Sequence, residues 1–143
     1  MRIGTVVAGL LVLLLGVSSA SATVRISEDH GGRIINYLYK FAMMRAAGEK
    51  VVIDGTCASA CTMVLGTIPH DHICVTERAN LGFHAAWEFG SRGRIKTSAG
   101  GTRFLLATYP PEIRHWISRR GGLSRQMKYL HGRELAAMYP SCS

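Results

Sequence analysis

Val51-Val52-Ile53-Asp54-Gly55-Thr56-Cys57-Ala58-Ser59-Ala60-Cys61-Thr62-Met63-Val64-Leu65-Gly66 is the stretch that decides how this chain is organised. Its β-branched run, Val51 to Ile53, reads as a buried strand. Asp54-Gly55 reads as the end of that strand, and small residues then lead into an apolar helix expected from about Ala60 to Thr67. Ser59 therefore falls on a strand-to-helix turn, beside backbone N–H groups that have no partner within the helix. Downstream, Leu81-Gly82-Phe83-His84-Ala85-Ala86-Trp87 puts His84 on a second apolar strand, expected over Asn80 to Ala85. A serine on such a turn, a histidine on a neighbouring strand and free N–H donors are the parts that acyl transfer requires.

The remaining elements follow from local patterns. Thr23 to Ser27 reads as a strand and His30-Gly31-Gly32 as the turn after it. Arg33 to Ala47 carries Ile34, Leu38, Phe41 and Ala42 at the spacing of one helical face, with Gly48 closing the helix. Ile73 to Thr76 reads as a short strand. Strand, helix, strand, helix, strand in this order implies an α/β fold with a mainly parallel sheet. Phe89 to Gly101 combines glycines, two serines and Arg92, Arg94 and Lys96, and reads as a mobile glycine-rich basic loop. Helices are expected over Arg103 to Tyr109 and Glu112 to Arg120, parted by Pro110-Pro111, with Ser124 capping a further short helix.

The N-terminus reads as an export signal. Arg2 is followed by an uncharged apolar run from Thr5 to Val17 and by Ala20-Ser21-Ala22, a small-x-small cleavage site. Removing residues 1–22 from 143 leaves 121, the length of one modest domain over residues 23–143. The expected location is periplasmic or secreted. Cys57, Cys61, Cys74 and Cys142 all fall in that domain, an even number suited to disulfides in an oxidising compartment, with three pairings open. The three-residue gap between Cys57 and Cys61 is not the spacing of a thioredoxin or zinc pair. A thiol nucleophile beside a helix start is the alternative use of those two cysteines. His70-Asp71-His72 has too few accompanying donors to argue for a metal, and no cofactor is expected.

Charge separates the classes of partner. The chain carries 17 Lys and Arg against 9 Asp and Glu, a net charge of +8, concentrated in its second half. Such a surface favours an anionic envelope surface or an acidic partner. An exported chain without a recognisable binding module is a poor match for nucleic acid.

Three motifs in order resemble a known family. His30-Gly31-Gly32 before an amphipathic helix, Gly55-x-x-Ala58-Ser59 before a second helix, and Phe83-His84 on a strand resemble the Clp protease proteolytic subunit and, more broadly, the Clp/crotonase-like fold. The resemblance implies a spiral of βα units truncated at its N-terminus, and a closing segment through Gly122-Leu123 and Tyr129 to Leu135. It also implies Ser59 as nucleophile, His84 as general base, and the N–H groups of Gly32 and Ala60 as the oxyanion hole. The implied activity is a serine peptidase or related hydrolase acting on a peptide or other acyl substrate, in a chain that can form a homo-oligomer. One position departs from the pattern: the family's acid comes from the closing segment, yet Leu123 to Leu130 holds no Asp or Glu. A backbone carbonyl, Asp54 or Glu88 is left to orient His84. If none does, the same fold serves as a non-catalytic periplasmic binding or scaffold protein.

Overall fold

The computed structural model describes residues 21–143, so the leader expected over residues 1–22 lies, except for Ser21 and Ala22, outside the described residues. The chain folds around one five-stranded mixed sheet. Strand β1 (Thr23–Asp29) leads through helix α1 (Ile34–Ala46) into β2 (Lys50–Ala58), and the two strands pair in parallel. Because β1 occupies one edge of β2 along most of its length, two short strands share the other edge end to end. Strand β3 (Ile73–Val75) pairs with Val51 to Ile53, and β4 (Asn80–Phe83) pairs with Thr56 to Ala58, both parallel. The last strand, β7 (Lys128–His131), is antiparallel on β4. The α/β architecture with a mainly parallel sheet is thus present.

The central strand runs further than its sequence suggests. Asp54-Gly55 does not end β2; it forms a bulge, where Ile26 pairs with Ile53 but Glu28 pairs with Thr56. Glycine is required there because a Cβ on Gly55 would lie 1.9 Å from the carbonyl oxygen of Ser27. Asp54 is buried, and its carboxylate accepts from Thr76 Oγ1 at 2.7 Å, from Arg78 Nε at 3.1 Å and from Arg25 Nη1. A buried carboxylate needs such partners to remain charged. Here they come from β1 and from the turn that separates β3 from β4. The side-chain bonds from Arg78 and Thr76 hold the Asp54 carboxyl well below the usual carboxylate range.

Other boundaries also differ. On α1 the inward face is Tyr37, Phe41 and Met44 with Ile34 and Leu38 beside them, whereas Ala42 is exposed. The helix after β2 opens as a tight 3-10 turn, Ser59–Met63, and becomes α2 (Val64–Thr67) only in its last turn. The stretch read as a glycine-rich loop is an antiparallel hairpin, β5 (Trp87–Phe89) and β6 (Ile95–Thr97), reversing through Ser91–Gly93. Helix α3 (Ala99–Thr108) starts four residues before the expected Arg103, because the Ser98 side chain accepts from Gly101 N–H as its cap. Helix α4 (Pro111–Ser118) follows. Ser124 caps no helix; its hydroxyl accepts from Gln126 N–H in a turn that leads directly into β7, and α5 (Gly132–Ala136) comes after that strand. Phe41, Ile53, Phe83, Tyr109, Trp116, Leu130 and Tyr139 meet in one core.

All four cysteines are bonded. Cys57 pairs with Cys61 across the turn after β2, and Cys74 of β3 pairs with Cys142. The second bridge fastens a C-terminal tail whose Ser141 forms a parallel bridge with Val75. These bonds suit an oxidising compartment, and they remove the cysteines as thiol nucleophiles. Among the described residues no helix is long and apolar enough to cross a membrane.

Candidate active site

Ser59 is held in a backbone conformation that side chains seldom adopt. Its φ is +58°, and among the described residues Arg92 is the only other non-glycine residue with positive φ. Such a conformation persists only where the surroundings enforce it. Three contacts do so. The Cys57–Cys61 bridge spans the turn. Thr62 Oγ1 donates to the Ser59 carbonyl at 2.6 Å and is itself 2.6 Å from the Tyr109 hydroxyl. Thr62 has one hydroxyl proton and gives it to the carbonyl, so Tyr109 is the donor in the second bond. Burial pushes the Tyr109 hydroxyl up to about 12, which keeps it protonated. The third contact is Gly31, at φ +82°, where a Cβ would fall 2.6 Å from the Ser59 Cβ and 2.8 Å from the Ala60 nitrogen.

The His30-Gly31-Gly32 turn is therefore packed onto the serine turn, 27 residues away in sequence from Gly32 to Ser59. Its orientation is fixed by Asp29. One carboxylate oxygen accepts from Gly31 N–H at 2.9 Å and from the Tyr37 hydroxyl, and the other accepts from Lys40 at 3.2 Å. Partial burial raises the Asp29 carboxyl, but these donors outweigh it and leave it below its ordinary value. Burial and the same carboxylate push Tyr37 up to about 12. With Gly31 N–H bonded to Asp29, the next N–H along, that of Gly32, has no acceptor among the described residues. The Ala60 N–H is in the first turn of the 3-10 segment, where intrahelical acceptors are absent.

His84 lies one residue past β4, not on it. Ala58 and Gly82 are partners across β2 and β4, so Ser59 and His84 stand one and two residues beyond the same rung of a parallel pair. The chain leaves the sheet here because the ladder with β7 ends at Phe83 and Lys128, after which Ala85 N–H donates to the Ser124 carbonyl at 2.7 Å. His84 is half-buried, and its Nδ1 sits 2.7 Å from the carbonyl of Ala85. A carbonyl only accepts, so Nδ1 carries a proton, which selects the tautomer whose lone pair is on Nε2.

Among the described residues no side-chain acid hydrogen-bonds His84. Asp54 is committed to Arg25, Thr76 and Arg78. Glu88 pairs with Lys96 at 3.1 Å, and Glu134 pairs with Arg120 at 2.8 Å while accepting from Trp116. His70, the first residue of His70-Asp71-His72, stacks on Tyr139 and bonds the Met138 carbonyl through Nε2. The site's supporting hydroxyls, Thr62 and Tyr109, carry no sequence signal, since they are 47 residues apart and each looks like an ordinary core residue.

Comparison of the sequence with protein-family models and with curated proteins finds no match.

Proposed function

We propose that this chain is a small exported serine hydrolase, with Ser59 as nucleophile and His84 as general base. The observation that carries the reading is Ser59 at φ +58° on the turn after β2, beside the end of the parallel partner strand that delivers His84. In this reading Ser59 Oγ attacks the acyl carbon while His84 Nε2 takes its proton and later returns it to the leaving group. The N–H groups of Gly32 and Ala60 receive the negative charge that develops on the acyl oxygen. The Ala85 carbonyl replaces the acid of an ordinary triad: it fixes tautomer and ring direction, but supplies only a dipole to the imidazolium. Turnover is accordingly slow, since losing the acid from a full triad removes roughly 10⁴-fold. The order of Gly31-Gly32, Ser59 and His84 also supports a Clp/crotonase-like spiral acting on a peptide or other acyl substrate.

A fluorophosphonate probe tests this proposal. Ser59 of the intact protein labels slowly; Ser59→Ala removes labelling, and His84→Ala slows it further, by about 10²-fold, because triad members act as a unit and the acid's share is already absent. Labelling that survives Ser59→Ala, or none in the parent protein at neutral to mildly alkaline pH, assigns the fold to the second reading, a non-catalytic binding or scaffold protein. The observation favouring that reading is the absence of a carboxylate beside His84 among the described residues.

A further inference from the structure

The β5–β6 hairpin has two unlike faces. Its register pairs Trp87 with Thr97, Glu88 with Lys96 and Phe89 with Ile95. Cross-strand partners share a face and alternate residues share a face. Trp87, Phe89 and Ile95 therefore project together, with the Trp87 and Phe89 rings 5.4 Å apart edge to face. On the opposite face Glu88 and Lys96 form an ion pair. The three apolar side chains are 50%, 69% and 50% exposed, a contiguous apolar face on a short hairpin. A two-stranded hairpin with an uncovered apolar face is marginal in water, and contiguous apolar patches mark contact surfaces.

Charge identifies what covers it. Arg92 and Arg94 stand at or beside the reversal, and among the described residues neither pairs with a carboxylate. Across Trp87 to Thr97 one acidic residue faces three basic ones, an excess of +2 on a chain whose net charge is already +8. A second copy of this chain would bring like charges together around the apolar face. Aromatic rings flanked by guanidinium groups instead suit a bilayer interface, where rings sit at headgroup depth and cations meet lipid phosphates. We infer that the β5–β6 hairpin docks this protein on an anionic lipid surface, with Trp87, Phe89 and Ile95 entering the interface and Arg92 and Arg94 binding headgroups.

The full chain carries its own reporter. Of its two tryptophans, Trp116 is fully buried, so a change in emission on adding lipid comes from Trp87. Vesicles of equal phosphatidylglycerol and phosphatidylcholine are expected to shift that emission to the blue and to sediment the protein, while phosphatidylcholine alone binds at least tenfold more weakly. Arg92→Gln with Arg94→Gln should weaken binding roughly tenfold to thirtyfold. Phe89→Ser with Ile95→Ser, which keeps the reporter, should abolish the blue shift with circular dichroism unchanged. For the parent protein, 0.5 M salt should release most of the bound fraction, a result that does not depend on any variant folding. Equal binding to both vesicle types, or no shift with either, overturns the inference. A lipid-independent shift that grows with protein concentration and accompanies a dimer mass overturns it in favour of a second copy.

Discussion

Thr62 and Tyr109 show how much of the site depends on residues outside it. In the chain from Tyr109 through Thr62 to the Ser59 carbonyl, the first bond is buried and the second partly buried, so water competes little with the first and only in part with the second. Thr62→Val keeps the shape but leaves both the Ser59 carbonyl and the Tyr109 hydroxyl unpartnered. It should lower stability by about 1–3 kcal/mol in urea denaturation, and Ser59 labelling should slow in proportion to the fraction of turns that relax. Tyr109→Phe leaves the Thr62 bond to the carbonyl intact and should cost about 1 kcal/mol with little effect on labelling. Gly31→Ala is the harsher change: it places a methyl group 2.6 Å from Ser59 Cβ at φ +82°. It should destabilise by roughly 1–3 kcal/mol from backbone strain alone and displace the Gly32 N–H, seen as lost labelling in protein that still folds. At this scale the sequence locates Ser59 on its turn, but not the carbonyl beside His84. A backbone acceptor is the same atom in every residue, so no side-chain identity announces it.

Between elements, Asp54 has a role its position in the sequence conceals. Read locally, Asp-Gly after a β-branched run is a strand end. In the fold, Gly55 admits the Ser27 carbonyl and Asp54 gathers donors from β1 and from the β3–β4 turn, so the strand continues through the bulge to Ala58. The three donors are remote in sequence, and no window along the chain contains them. The hairpin was hidden differently: two three-residue strands are too short for alternation to register against four glycines between Phe89 and Gly101. The parallel order of β1, β2 and β4, by contrast, is legible because the helix between β1 and β2 and the apolar runs have the lengths such units require. The pH consequence belongs to the bulge. Asp54 and Asp29 both titrate lower folded than unfolded, so the unfolded chain takes up protons first as pH falls. Their contribution is complete above the unfolded carboxylate value, about 4, and is lost as pH falls from there toward the folded values. Asp54→Asn should lower the melting temperature at pH 7 and flatten the acid limb of a stability–pH profile. An acid limb as steep as the parent's would mean that other carboxylates set it.

Across the whole molecule the two disulfides divide their labour by loop length. Cys74 and Cys142 are 68 residues apart in sequence, and their bond ties the C-terminal tail to the free end of β3, where Val75 and Ser141 bridge and His70 stacks on Tyr139. Cys57 and Cys61 are only 4 apart, and their bond crosses the one turn that carries Ser59. Loop-closure entropy assigns about 4 kcal/mol to the long bridge and about 2 kcal/mol to the short one. In a domain whose total stability is on the order of 5–15 kcal/mol, the first is a large share and the second a modest one. The site orders them the other way, because the short bridge restrains the φ of Ser59 and the long one lies at β3, away from the ends of β2 and β4. Cys74→Ser with Cys142→Ser should lose about 4 kcal/mol of stability while the folded fraction labels at the parent rate. Cys57→Ser with Cys61→Ser should remain folded yet label markedly more slowly. Urea melts run beside fluorophosphonate labelling on both variants separate the two effects. If both pairs lower labelling only through unfolding, the short bridge is a staple like the other and the strained turn does not need it. If labelling falls at full folding in the short-bridge variant alone, the geometry at Ser59 is maintained by Cys57 and Cys61 and is lost in a reducing compartment.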